Sequence, residues 1–294
     1  EYKDYMPSQN EIAWVENRLN APLEVKKAFQ FLRSDDPRTK RDGENYIPTD
    51  QLYVLSPDGQ PINFKKVRRL TRSEMMVMEM LSTNEWKRPM YFATTVGSDY
   101  HLGLDPYLEL TGMAYRITPT RSADGRPRVN TEVMYDNMMN KFRYGNVNKP
   151  GIYLDENTLR MCRTHRMMFS ELAGALYEEG KRDKAIAVLD YAEEMLPGYN
   201  ISYDYTSASM AALYYTLGEM EKGSAIMDKV AANAIEYLAW AASLPPVQRK
   251  SVNQSTTGHY SAVLGFVLNN LQRFEQKELF NKYFELYNQY ASVR

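Results

Sequence analysis

The polar and apolar positions beyond Asp155 repeat at spacings of three and four. Leu159, Cys162, His165, Phe169, Leu172, Ala173 and Leu176 lie on one stripe, and Gly180 follows it. That period predicts an amphipathic helix with a glycine stop. Ala185, Val188, Leu189, Ala192 and Leu196 continue the pattern up to Pro197, so the expected unit is helix, tight turn, helix.

Phe169, Leu172, Ala173, Leu176, Gly180, Ala185, Leu189, Ala192 and Pro197 fall at the offsets of the tetratricopeptide pattern, in which small residues let paired helices approach closely. A degenerate second copy places Ala211, Tyr214, Gly218, Gly223 and Met227 in register. A third, from Tyr260 to Tyr290, keeps Leu264, Gly265, Leu268 and Phe274. Three helix pairs are predicted, the last acting as a cap.

The first 150 residues are turn-rich and mixed. Val25, Ala28, Phe29 and Leu32 after Ala21-Pro22 predict a short helix. Ser34 to Asn45 is polar and interrupted by Asp-Asp-Pro and Asp-Gly. Tyr53-Val-Leu and Ile62-Asn-Phe, separated by Ser-Pro-Asp-Gly, predict two brief strands about a turn. Thr71-Arg-Ser-Glu74 has the form of a capping box, in which hydroxyl and carboxylate each satisfy a free backbone N–H; a Met-rich helix should run from there to about Asn84. Met90 to Val96 and Ala114 to Thr118 predict further strands. Asn130 to Phe142 reads as a helix and Gly145 to Pro150 as a linker. The expected architecture is α+β: a small mixed α/β portion over residues 1–150, then an all-α helical-repeat portion over residues 151–294.

Composition narrows the function. The chain is 44% hydrophobic, with 36 basic and 37 acidic residues and a formal net charge of -1, so it lacks the broad positive field that nucleic-acid binding needs. A single cysteine, Cys162, excludes an internal disulfide and multi-cysteine zinc motifs. The uncharged run Ser251 to Gln272 is apolar only around Ala262 to Leu268, too short to span a bilayer. Without an initiating methionine or a basic-then-apolar leader, the sequence reads as a mature product or a piece of something larger.

Candidate chemistry is sparse. Asp99-Tyr-His101 with Asp105 and Glu109 could ligate a metal or supply an acid and a base, but a solvated loop is the commoner origin of such a pattern. His165, one turn from Cys162, suits a hydrogen-bonded core position. His259 and Ser261 form no hydrolase elbow. Lys65 to Arg69 with Arg72 is a local cation cluster at the approach to a helix. Gly97 and Gly103 lack the spacing of a phosphate loop. The 23 tyrosines matter more, because amphipathic rings suit sugar faces and peptide grooves as well as packing.

The strings Asn84-Glu-Trp-Lys-Arg-Pro-Met-Tyr-Phe-Ala-Thr-Thr-Val96, Tyr100-His-Leu-Gly-Leu104 and Leu110-Thr-Gly-Met-Ala-Tyr-Arg116 closely resemble a family of bacterial protein O-mannosyltransferase-like membrane proteins. Arg128-Val-Asn-Thr131, Met134 to Phe142 and Tyr153-Leu-Asp-Glu-Asn157 share the resemblance, which covers most of residues 45–200. It implies a glycosyltransferase-C type membrane portion elsewhere in the polypeptide and, here, its soluble C-terminal region with tetratricopeptide-like helices. The family's sugar-transfer residues belong to the membrane portion, so no catalytic residue, cofactor or metal is expected in this chain.

The resulting expectation is a non-catalytic, periplasmic (extracytoplasmic) region tethered to the inner membrane. Its partners would be an acceptor protein or peptide and the membrane portion of the same polypeptide, not nucleic acid. Candidate binding residues are Trp86, Arg88, Tyr91 and Asp99 in the first portion, and Tyr177, Tyr203, Tyr205 and Tyr214 as groove residues in the second. A free-standing tetratricopeptide-type scaffold is the alternative, and a small metal-dependent hydrolase on Asp99, His101 and Asp105 the weaker one.

Overall fold

The computed structural model describes residues 12–249, 251, 252 and 254–290. The chain divides into two compact units at the Asn130–Thr131 junction, the first mixed and the second wholly helical, an α+β protein.

The first unit is built on short strands. β1 (Ile12–Val15), β2 (Leu23–Glu24), α1 (Val25–Phe31), β3 (Lys40–Arg41), β4 (Glu44–Ile47), β5 (Leu52–Leu55), β6 (Pro61–Asn63) and β7 (Arg69–Thr71) precede α2 (Arg72–Asn84); β8 (Tyr91–Ala93), β9 (Leu108–Leu110), β10 (Ala114–Ile117) and β11 (Arg128–Val129) follow it. They form three small sheets, ordered β3-β4-β1-β7, β2-β5-β6 and β11-β9-β10-β8. β5 and β6 are the pair expected about Ser-Pro-Asp-Gly, antiparallel with Val54 opposite Ile62. In the stretch read as merely polar, Asp42 and Gly43 both take positive φ, 52° and 87°, and turn β3 back on β4. That is the two-residue hairpin for which Asp-Gly is suited.

The capping box forms as expected. Glu74 Oε2 accepts the Thr71 N–H at 2.8 Å, and Thr71 Oγ1 accepts the Glu74 N–H at 3.4 Å. Met75, Met78 and Leu81 of α2 are buried. They join Phe29, Ile47, Leu52, Ile62, Leu70, Phe92 and Leu102 in one core within this unit.

The second unit opens with α3 (Thr131–Tyr135), which widens into a π-helical turn at Asp136–Lys141; the Phe142 N–H reaches the Asn137 carbonyl five residues back. Then come α4 (Glu156–Glu178), α5 (Arg182–Met195), α6 (Tyr205–Thr216), α7 (Met220–Ser243), α8 (Pro246–Arg249), α9 (Gln254–Arg273) and α10 (Lys277–Tyr290). α4 packs on α5 and α6, α6 on α7, α7 on α9, and α10 on both α9 and α7. Consecutive antiparallel pairs thus stack side by side around a core that includes Phe169, Leu172, Leu189, Ala211, Met227 and Leu264. Gly180 and Gly218 end α4 and α6 at φ 75° and 83°. Gly223 lets the second pair close, since a Cβ there would stand 2.7 Å from the Tyr215 ring.

The buried stripe of α4 differs from expectation around residue 165. His165 is only half-buried, its Nδ1 2.8 Å from the Met161 carbonyl oxygen. Arg166 is fully buried. The helical period that carries Cys162 and Phe169 inward carries residue 166 with them, and only its charge argued otherwise.

Candidate functional site

The candidate residues of the first unit stand on different elements. Trp86 follows the C-terminus of α2, where Glu85 and Trp86 both take positive φ, 48° and 60°. Its indole N–H donates to the Leu55 carbonyl at 2.7 Å and its ring packs on the core, so it anchors a helix end. Asn84 closes the same turn onto Arg88, taking the Arg88 N–H and donating to its carbonyl; the Arg88 side chain is exposed. Tyr91 lies on the edge strand β8, half exposed. Asp99 is exposed, and its backbone carbonyl accepts a hydrogen bond from Lys65 Nζ.

His101 and Asp105 do meet, Nδ1 to Oδ1 at 2.8 Å. The imidazole is buried, with Phe92 at 5.0 Å and Tyr115 at 5.8 Å. A ring held between aromatic neighbours, with one nitrogen engaged by a carboxylate, is a packed loop anchor. Among the described residues no three His, Cys, Asp or Glu side chains gather as metal ligands.

The second unit holds a more coherent arrangement. A cavity of about 560 Å³ opens among α6, α7 and α9. Val230, Ala234 and Val263 form its buried floor. Along α7, Asn233, Tyr237 and Trp240 follow Val230 at helical spacing and turn toward it; Tyr260 and Val263 do the same on α9. Tyr237 and Tyr260 stack with centroids 4.2 Å apart and planes at 24°, and Trp240 lies 5.4 Å from Tyr237. At the other end Tyr205, the first residue of α6, packs 5.1 Å from Phe266.

The polar rim is largely neutralised. Asp204 Oδ1 caps α6 through the Thr206 N–H at 3.0 Å, and Asp204 Oδ2 pairs with Arg163 Nε at 3.1 Å. Asn233 Nδ2 donates to the Tyr203 carbonyl at 3.0 Å. Tyr203 donates from its hydroxyl to Glu193 Oε2 at 2.6 Å, with Arg166 and Lys229 each 5.2 Å from its ring. Its own burial, then the hydrogen bond to Glu193 and that carboxylate's charge, push the Tyr203 phenol above its ordinary range.

Of the second-unit candidates, the cavity includes Tyr203 and Tyr205. Tyr177 is half exposed outside it. Tyr214 is 1% exposed, its hydroxyl donating to Asp190 Oδ1 at 2.8 Å, so its ring serves the core and offers no groove surface. Sequence reasoning missed Tyr237, Trp240 and Tyr260. The available signal was the Tyr237/Trp240 pair one turn apart on a helix whose buried stripe passes beside it.

Glu193 gives the site a pH-sensitive support. Burial raises its pKa, and Oε1 lies out of solvent without a hydrogen-bond partner. A carboxyl whose folded pKa exceeds its unfolded one stabilises the fold below the unfolded pKa, and that contribution is lost as pH rises through the raised folded value. Glu193→Gln should therefore unfold at a higher denaturant concentration than wild type at pH 8 and at the same concentration at pH 4. Equal midpoints at both values would refute the assignment.

Among the described residues no helix is long and apolar enough to cross a membrane. No curated protein and no solved structure matches the chain. Residues 56–134, a stretch that contains α2, Trp86, Arg88, Tyr91, Asp99 and the His101 loop, match the family model described as TMEM260-associated domain 2.

Proposed function

We propose that this chain is the non-catalytic extracytoplasmic region of a membrane-bound protein glycosyltransferase of O-mannosyltransferase-like type, and that its helical unit holds acceptor protein in the groove among α6, α7 and α9. The family match over residues 56–134 supports the first clause, together with the resemblance carried by the strings between Asn84 and Asn157. The second rests on one observation: Tyr205, Tyr237, Trp240 and Tyr260 line one cavity of about 560 Å³, within the range of ligand-binding clefts. Paired helices of tetratricopeptide-like type present such grooves to extended peptide.

Labelled Ser/Thr-rich peptides titrated against the whole chain test this reading by fluorescence anisotropy. Tyr205→Ala and Trp240→Ala should each weaken binding about tenfold or more, as truncation of a central aromatic anchor does. Unchanged affinity in both variants, or sugar transfer by the isolated chain, would overturn it.

A further inference from the structure

Two sets of tyrosines in the helical unit differ in what their hydroxyls do. One set has its hydroxyls satisfied by the chain: Tyr203 by Glu193, Tyr214 by Asp190, Tyr215 by Ser224 and Tyr283 by Asp228, at 2.6 to 3.1 Å. Other rings on the walls of the α6–α7–α9 cavity, which Tyr203 also lines, differ. The hydroxyls of Tyr205, Tyr237 and Tyr260 and the indole N–H of Trp240 make no hydrogen bond to any described residue. Tyrosine and tryptophan sites with an apolar body and an unused polar tip suit ligands that are apolar on one side and hydrogen-bonding on the other.

Charge narrows the ligand. Arg163 faces Asp204 at 3.1 Å, so the cavity's guanidinium is already opposed by a carboxylate and is poorly placed to take a phosphate. Lys229 lies over the far ring, Tyr203. Glu236 lines the cavity and makes no ion pair with any described residue, leaving a single unpaired carboxylate beside His259 and neutral donors and acceptors. Few ligand classes meet an aromatic side chain with one face and a ring of hydroxyl, amide, imidazole and carboxylate groups with their edge. A hexopyranose does: its axial C–H groups form an apolar face and its hydroxyls a polar rim.

We infer that the cavity walled by Tyr237, Trp240 and Tyr260 is a hexopyranose-binding subsite, so that the acceptor held by the groove is one already carrying sugar. The inference rests on the groove reading above and names its ligand. The sugar's C–H face lies on the half-exposed Trp240 ring, while its hydroxyls meet Glu236, Asn233 and the free phenols.

The methyl glycosides of mannose, glucose and galactose, each added to the whole chain, test it by saturation-transfer NMR. At least one glycoside is expected to bind at millimolar Kd, with transfer concentrated on the protons of one ring face. Trp240→Ala and Tyr260→Ala should each weaken that binding about tenfold, and Glu236→Gln about threefold. Tyr153→Ala, at a ring 90% exposed and outside the cavity, should leave it unchanged. Circular dichroism confirms that each variant is folded. No transfer to any glycoside at about 10 mM, or transfer indifferent to Trp240 and Tyr260, overturns the inference, as does saturable binding of a lysine amide in place of the sugars. A glycosylated peptide and its bare counterpart separate this inference from the groove reading. Equal affinity, lost in Tyr205→Ala, leaves the groove and removes the sugar. Glycoside binding that needs Trp240, without any peptide contribution, does the reverse.

Discussion

Arg166→Ala is expected to destabilise the helical unit by about 3–5 kcal/mol, the cost of breaking a buried charged network by removing one partner. Arg166 Nη1 donates to the Ser202 carbonyl at 3.0 Å and to Ser207 Oγ at 3.1 Å, and Nη2 donates to the Leu196 and Ile201 carbonyls at 2.7 Å each. Three of these acceptors belong to the segment between α5 and α6, where no regular ladder can take them up. A buried loop must satisfy its carbonyls somehow, and here one guanidinium does so while its charge is balanced from a distance by Glu193 and Asp204. Burial alone pulls the Arg166 pKa down from its ordinary value, so the network holds a charge at a cost that the four acceptors offset. Arg166→Lys should recover only part of the loss, because an ammonium cannot reproduce the planar fork.

Urea unfolding followed by circular dichroism measures the change, and hydrogen exchange should locate it in residues 196–207. The loop places Tyr203, Asp204 and the start of α6, so the peptide and glycoside binding proposed above should fall with it. A loss below about 1 kcal/mol, in the range of one ordinary hydrogen bond, would mean that the segment finds its partners elsewhere.

That residue also marks where sequence reading stopped. Period, caps and breakers are local properties, and the elements they govern were legible: α2 from Thr71 and Glu74, the β5–β6 hairpin from its turn, α4 and α5 from one stripe and Gly180. β1 pairs with β4 in parallel and with β7 in antiparallel fashion across long loops. Strands this short carry no pattern that specifies such partners. The cavity was only half legible for a related reason. Tyr205 and Tyr214 look alike in the sequence, and α6 buries Ser207, Ala208, Met210, Ala211, Tyr214 and Tyr215, so wide a face that the stripe does not identify its exposed edge. Which rings point into open space depends on where α7 and α9 lie, and that is tertiary information. Arg166 is the converse case. Its position was inward by period and outward by charge, and carbonyls at residues 196, 201 and 202 decided between them.

Gly103→Ala should lower the stability of the first unit by roughly 2–4 kcal/mol, combining the cost of left-handed backbone with that of overpacking. Gly103 has φ 81°, and a Cβ there would stand 2.9 Å from the Lys65 backbone nitrogen, 3.1 Å from Lys65 Cβ and 3.3 Å from Lys65 Cα. The Lys65 N–H donates to the Leu102 carbonyl at 2.8 Å, which draws the two segments together where the methyl would have to fit. Retreat is blocked, since Leu102 and Leu104 are buried on either side and Leu102 itself sits at φ 59°. Gly59→Ala is the control. Its φ is 80° but nothing lies within 4 Å of its added Cβ, so it should lose only the conformational part, about 1–2 kcal/mol. The difference between the two denaturation midpoints isolates the close approach, and equal midpoints would refute it. Tyr100-His-Leu-Gly-Leu104 lies within the matched residues 56–134. His101, Leu102 and Leu104 are buried, and the glycine lets their loop lie against Lys65, so this segment meets a packing requirement of the first unit.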